Sequence, residues 1–259
     1  YTMLDIFDRI ERDSGGPIGQ YFDQAFGYYM YPRLEGELGP HMTFNGKPVL
    51  NWSLNNYLGL ANHPAVRKAD AEAAAQYGLA YPMGARMMSG QTRYHEKLEK
   101  IFAEFEKKED AFLFNFGYQG IVSTIDALTA RHDVIVYDAE CHACLLDGIR
   151  LHLGEKFKYR HNNIEDCEKV LAHACSVAEQ NGGGVLLITE GVFGMTGALG
   201  ILDKITALKK KYQFRILIDD AHGFGLLGEH GRGTSEHFNC MDEVDLYIGA
   251  FAKSMASIG

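Results

Sequence analysis

Short apolar runs alternate with segments of helical period through the last two thirds of the chain, and that alternation restricts the fold more than any other feature. Val134–Tyr137, Val185–Thr189, Phe214–Ile218 and Leu246–Gly249 carry mostly apolar side chains on successive residues. A strand of that kind has to be covered on both faces, as in a parallel sheet between helical layers. Ala111–Asn115 reads as a further strand and Phe157–Tyr159 as a short one. Helical spacing is found in Pro64–Tyr77, Tyr94–Lys107, Gly117–Ala130, Cys141–Leu153, Ile164–Glu179 and Asp203–Tyr212, the first with Pro at its start. The expected class is therefore α/β, a mostly parallel sheet with helices on both faces. In such sheets ligands lie beyond the carboxyl ends of the strands.

The first part of the chain has a different pattern. Met3–Asp13 reads as a short amphipathic helix, and Gly15–Pro40, rich in Gly, Pro and Tyr, as an extended arm. His41–Phe44 and Lys47–Trp52 flank Asn45-Gly46, the signature of a tight hairpin. The expected division is residues 1–50 as helix, arm and hairpin, and 51–259 as the large ligand-binding domain. The chain opens on Tyr1, and it stops at Gly259 just after a strand with no closing helix. It therefore reads as truncated, with a C-terminal small domain absent.

Charge and composition narrow the function classes. Lys and Arg number 25 against 34 Asp and Glu, a formal charge of −9. That balance argues against a nucleic-acid partner, which needs a basic face. No apolar run reaches the ~18 residues that cross a bilayer, and no signal peptide opens the chain. Five cysteines, an odd number in a core-forming chain, suggest reduced thiols and a cytoplasmic setting. Cys141 and Cys144 form a C-x-x-C with His142 inside it. Without a second close pair, packing is the better reading of these residues than zinc.

The strand ends carry the chemistry. Phe214–Ile218 runs into Asp219-Asp220-Ala221-His222-Gly223, Val134–Tyr137 into Asp138 and then His142, and Val185–Thr189 into Glu190-Gly191. Ala111–Asn115 runs into Phe116-Gly117-Tyr118, and Leu246–Gly249 into Ala250-Phe251-Ala252-Lys253-Ser254. Gly223–Gly228 matches G-x-G-x-x-G, but the glycines that follow break the helix a dinucleotide site requires. Pyridoxal phosphate fits the inventory better. It needs an amine to form an imine, a carboxylate against the pyridine nitrogen, a planar group on the ring and a helix N-terminus for the phosphate. Lys253, Asp219, His142 and the Gly117–Tyr118 helix start supply these in turn. Structural readings compete with each assignment. Lys253 could be a solvated lysine, Asp219 a helix cap, His142 a core histidine and Asn55 a turn residue.

The ordered motifs settle the preference. Asn55-Asn56-Tyr57-Leu58-Gly59-Leu60, Ser89-Gly90, Phe116-Gly117-Tyr118, Asp138-Ala139, His142-Ala143, Asp147-Gly148, His161-Asn162-Asn163, Glu190-Gly191-Val192-Phe193, Asp219–Gly223, Gly231-Arg232-Gly233 and Lys253-Ser254 occur in one sequence from about Leu50 onward. In this the chain resembles the α-oxoamine synthases, which include serine palmitoyltransferase, 8-amino-7-oxononanoate synthase and 2-amino-3-ketobutyrate CoA ligase. The resemblance implies a fold-type I enzyme, a homodimer with its site at the subunit interface. It implies Lys253 as imine lysine, Asp219 at the pyridine nitrogen, His142 stacked on the ring and His222 by the phenolic oxygen. Gly117, Tyr118 and Glu190 join the cofactor shell, and Asn55 lies by the substrate. The implied reaction is a decarboxylating condensation of an amino acid with an acyl thioester, on CoA or a carrier protein. Among the members serine palmitoyltransferase looks nearest, and a relative using cysteate for sulfonolipids fits equally. A non-catalytic partner subunit and a biotin-pathway synthase are the competing readings.

The chain also departs from the family pattern. Ala250 and Ala252 stand where Thr and Ser are usual, Gly194 where Ser is usual, and Gly84-Ala85-Arg86 replaces Gly-Ser-Arg. Lost hydroxyls imply a looser hold on the cofactor, or a hold taken over by groups such as Ser254.

Overall fold

The computed structural model describes residues 5–12 and 31–259. Its backbone divides into a small N-terminal unit ending at Leu54 and a large unit, Asn55–Gly259. In the small unit, α1 (Ile6–Arg12) lies within the predicted helix; Met3, Leu4 and Asp13 fall outside the described residues. Strands β1 (Leu34–Glu35), β2 (His41–Phe44) and β3 (Lys47–Leu50) form an antiparallel sheet. Asn45 and Gly46 both adopt positive φ, 48° and 72°, as the two-residue hairpin turn demands, and Phe44 faces Lys47 across it. The predicted arm is corrected at Leu34 and Glu35, which pair with Phe44 and Thr43; residues 15–30 of it lie outside the described part.

The large unit begins with α2 (Pro64–Tyr77) and α3 (Arg93–Glu106), followed by α4 (Gly117–Leu128). Then β4 (Val134–Asp138), β5 (Lys156–Tyr159), β6 (Val185–Glu190), β7 (Arg215–Asp219) and β8 (Leu246–Ile248) build one parallel sheet in the order β5-β4-β6-β7-β8. Helices α5 (Ala143–Leu151), α6 (Ile164–Asn181), α7 (Leu202–Ala207) and the short α8 (Thr234–His237) complete it. Successive strand residues serve opposite layers. Val134, Val136, Leu187, Ile216 and Ile218 pack with Cys167, Leu171 and Ala174 of α6 and Leu202 and Ile205 of α7. Ile135, Leu186, Ile188 and Leu217 pack with Ile121 and Ile125 of α4 and Leu145 and Ile149 of α5. Both faces are buried, as the unbroken apolar runs require.

Local capping fixes the helix limits. Thr92 Oγ1 accepts from the amides of Tyr94 and His95, while His95 Nδ1 accepts from the Thr92 amide, a reciprocal cap that starts α3. Asn163 Oδ1 accepts from the Asp166 amide at 2.7 Å to open α6, which closes on Gly182 at φ 68°. The helix expected from Cys141 starts only at Ala143, because the His142 ring turns back and accepts from the Cys144 amide. The predicted helix over Asp203–Tyr212 ends at Ala207 and tightens into a 3₁₀ turn, Leu208–Lys210.

One predicted strand is absent. Ala111–Asn115 joins no ladder among the described residues. The backbone of Leu113 is held by side chains instead: its amide donates to Glu99 Oε1 at 2.7 Å and its carbonyl accepts from Arg86 at 2.7 Å. Arg86 in turn is paired with Glu99. An apolar cavity of about 250 Å³ is lined by Leu113 and Phe114 on one side and by Leu246 and Ile248 of β8 on another. An apolar run is thus a strand only where a partner edge lies within hydrogen-bonding distance.

Gly148 explains the Asp147-Gly148 motif. A Cβ there would stand 2.8 Å from Ile125 Cδ1 and 3.3 Å from Val122 Cα, so the missing side chain is what brings α5 against α4. Gly148→Ala is expected to cost about 1–3 kcal/mol, read as a lower denaturant midpoint with unchanged slope.

Candidate active site

The carboxyl ends of β4, β6, β7 and β8 lie along one edge of the sheet, and sheet register sets the acids there. Glu190 closes β6 directly opposite Asp219, which closes β7. Both are buried. Asp219 accepts from the Ala221 amide at 3.1 Å. Burial pushes its carboxyl up, opposed by that amide, by Lys253 and by His142. Glu190 accepts from the His142 amide at 2.5 Å. Burial and the Asp219 charge push it up to about 7 against the pull of the His142 and Gly194 amides and Lys253.

Lys253 follows β8 and is half-buried. Burial lowers its amine, and the charges of Asp219 and Glu190 act the other way. The amine and the two carboxylates therefore share one poorly solvated space, in which an amine is easier to deprotonate than in water. Ala250 is buried just before it. Ser254, considered above as a group that takes over part of the hold on the cofactor, has its hydroxyl engaged within the protein. Its Oγ is fully buried and donates to the Phe224 carbonyl at 2.7 Å, tying the lysine segment to the loop after β7.

His142 caps α5 beside these groups. Tyr118, in the first turn of α4, meets its ring edge-on at 6.4 Å between centroids, and the Tyr118 hydroxyl donates to Asp147. The structure thus brings the Gly117–Tyr118 helix start beside His142. Phe116 provides no side-chain cap there, and a Cβ on Gly117 would meet nothing within 4 Å. The amides of that first turn therefore have no side-chain cap and open onto accessible space.

His222 and Asn55 are joined by a residue the sequence reading did not single out. The Tyr57 hydroxyl lies 2.8 Å from His222 Nδ1 and 3.0 Å from Asn55 Oδ1. Asn55 Oδ1 only accepts, so the Tyr57 proton goes to it and His222 Nδ1–H donates to the Tyr57 oxygen. Burial, with the charges of Lys253 and His142, lowers His222 to about 4, so it is neutral near pH 7. A Cβ on Gly194 would come within 2.5 Å of His222 Nε2. The His222 ring fills the space a side chain at Gly194 would need. Only the motif Asn55-Asn56-Tyr57 pointed toward Tyr57.

The remaining motif residues are structural. Asp138 accepts from His161 Nδ1 at 2.9 Å and from the amides of Asn162 and Glu140. Residues Gly223–Gly228 form turns in which Gly225 and Gly228 both have φ of 83°, and no helix opens there. Cys141 and Cys144 are free and buried, and among the described residues no group of three or more His, Cys, Asp or Glu is placed to hold a metal. No described helix is long and apolar enough to cross a membrane.

Comparison with known proteins follows the same lines. The family described as aminotransferase class I and II matches residues 47–259. A cysteate-C-fatty acyltransferase of Capnocytophaga ochracea is 61% identical over 99% of this chain and 61% of its own length. A serine palmitoyltransferase of Bacteriovorax stolpii is 37% identical over 90% of this chain and 54% of its own. The solved serine palmitoyltransferase of S. paucimobilis with bound PLP–myriocin superposes with a TM-score of 0.87 at 26% identity, over 99% of this chain and 63% of that one. The chain therefore spans less than two thirds of the length of these relatives.

Glu190 gives a pH signature. Its folded pKa lies above the ordinary 4.5, so its contribution to stability is present below that value and is lost as pH rises toward 7. Glu190→Gln keeps an acceptor for the His142 amide without the charge. Denaturation of the apoprotein should show wild type losing stability relative to E190Q across that window.

Proposed function

Because this chain belongs to the class I and II aminotransferase family, whose members work with pyridoxal phosphate, we propose that it is the cofactor-holding part of an α-oxoamine synthase. The proposed reaction joins an amino acid to a fatty acyl thioester, releasing carbon dioxide and the thiol and leaving an aminoketone. The amino acid we assign is cysteate, on the 61% identity to the cysteate relative. The observation that carries the reading is the half-buried Lys253 amine close enough to the buried Asp219 carboxylate for each to act on the other's charge.

The residues fit the group. Asp219 keeps acceptor capacity beyond the Ala221 amide, as a pyridinium N–H requires. Lys253 would hold the aldehyde carbon, His142 would lie on the ring, and the uncapped start of α4 at Gly117 and Tyr118 would take the phosphate. Bound there, pyridoxal phosphate supplies the electron sink that makes the α-proton of the amino acid removable. The Lys253 amine, lowered by burial, is the base suited to take that proton at Nζ. Glu190 fixes the entry of α5 through the His142 amide and so sets the stacking ring. His222, held by Tyr57, stays neutral and keeps Nε2 as an acceptor, while Asn55 marks the substrate side.

The proposal extends to a cytoplasmic homodimer. Leu79, Tyr81, Met83, Met87 and Met88 are exposed close together in sequence, an apolar surface suited to a second copy. Five free thiols suit a reducing compartment. The reading of a non-catalytic subunit is disfavoured by the retained lysine, and the oxononanoate synthase reading by the higher identity to the cysteate relative than to a synthase at 40%.

Borohydride reduction of the cofactor-loaded protein should leave the label on the Lys253 peptide, and Lys253→Ala should abolish it. Titration with a panel of amino acids should then change the visible spectrum at lower concentration for cysteate than for serine. Label on another lysine overturns the site, and a preference for serine overturns the substrate.

A further inference from the structure

The cysteine pair within Cys141–Cys144 has no part in the chemistry so far, and its two thiols have different surroundings. Cys141 lies with Sγ 3.9 Å from the Ile188 carbonyl, in the apolar layer over the sheet. Cys144 Sγ lies 2.8 Å from His142 Nδ1 and 3.9 Å from Asp219 Oδ2. It therefore stands between the stacking ring and the carboxylate assigned to the ring nitrogen.

Proton accounting fixes the roles. His142 Nδ1 already accepts from the Cys144 amide at 3.3 Å, so it carries a lone pair and the ring proton sits on Nε2. Asp219, as a carboxylate, accepts as well. The thiol's single proton then goes to the nearer acceptor, Nδ1 at 2.8 Å, with Asp219 Oδ2 standing off at 3.9 Å. Burial and the Asp219 charge push it up to about 12, so it keeps its proton. The other charged and titratable groups around it are Glu190 at the end of β6, Lys253 beyond β8 and Tyr118 of α4.

We propose, resting on the cofactor reading above, that Cys144 is a positioning residue whose S–H, donated to Nδ1, holds the His142 ring at the angle that stacking on the pyridine ring requires.

Three measurements on the purified protein test this: the dissociation constant for pyridoxal phosphate, the visible circular dichroism of the bound cofactor, and the melting temperature without cofactor. For Cys144→Ala the constant should rise roughly fivefold, the worth of one ordinary hydrogen bond. The dichroism band should weaken. Cys144→Ser, which keeps a donor for His142, should restore most of the band. A residue that only fills space would lower the melting temperature and leave both cofactor readouts unchanged. If Cys144→Ala does not fold, Cys144→Val fills the volume without a donor and should show the same rise. Wild-type affinity and dichroism in the donorless variant overturn the inference and leave the cofactor reading intact. A wild-type protein with no visible band overturns both.

Discussion

A single carboxylate holds the segments around the site in place. Asp220, fully buried just beyond β7, accepts from the Thr234 amide and the Thr234 hydroxyl, each at 2.6 Å, and from the Tyr247 hydroxyl of β8 at 3.1 Å. It so joins the end of β7 to β8 and to the start of α8. Three glycines give it room. A Cβ on Gly191, Gly223 or Gly233 would come within 2.0, 2.2 and 2.1 Å of an Asp220 oxygen. The glycines of three separate motifs thus answer to one buried acid, and its neighbour Asp219 is left to face the pocket. A buried carboxylate with its donors supplied is costly to disturb, because removing any donor exposes the charge to an apolar interior.

The parallel sheet was legible because both of its faces are buried. Val134–Tyr137, Val185–Thr189 and Phe214–Ile218 announce themselves by mostly apolar runs, and the helices between them by period. The failures have physical causes. Ala111–Asn115 has the composition of a strand, but pairing depends on what lies alongside, and here Arg86 and Glu99 take the backbone bonds of Leu113. The late start of α5 depends on a histidine cap, a residue type that capping rules do not emphasise.

In the site, residue types at strand ends named Lys253, Asp219 and His142, because strand ends are where such sheets place their ligands. The links between those residues were not legible. Nothing in the spacing of Tyr57 and His222, 165 residues apart, foretells their hydrogen bond. Nor does a missing hydroxyl reveal what replaces it. At Gly194 the answer is the His222 ring, and at Ser254 the hydroxyl is already committed to Phe224. Contacts of this kind are settled by tertiary packing, which a single sequence does not display.

The pairing of Glu190 with Asp219 across neighbouring strands has a consequence for selectivity. Adjacent strands run about 4.8 Å apart, so this wall presents two acids side by side against one amine. Such a wall favours ligands that bring positive charge and repels a sulfonate or any other anionic side group. Binding an anionic amino acid beside it therefore requires hydrogen-bond donors brought from another side of the site.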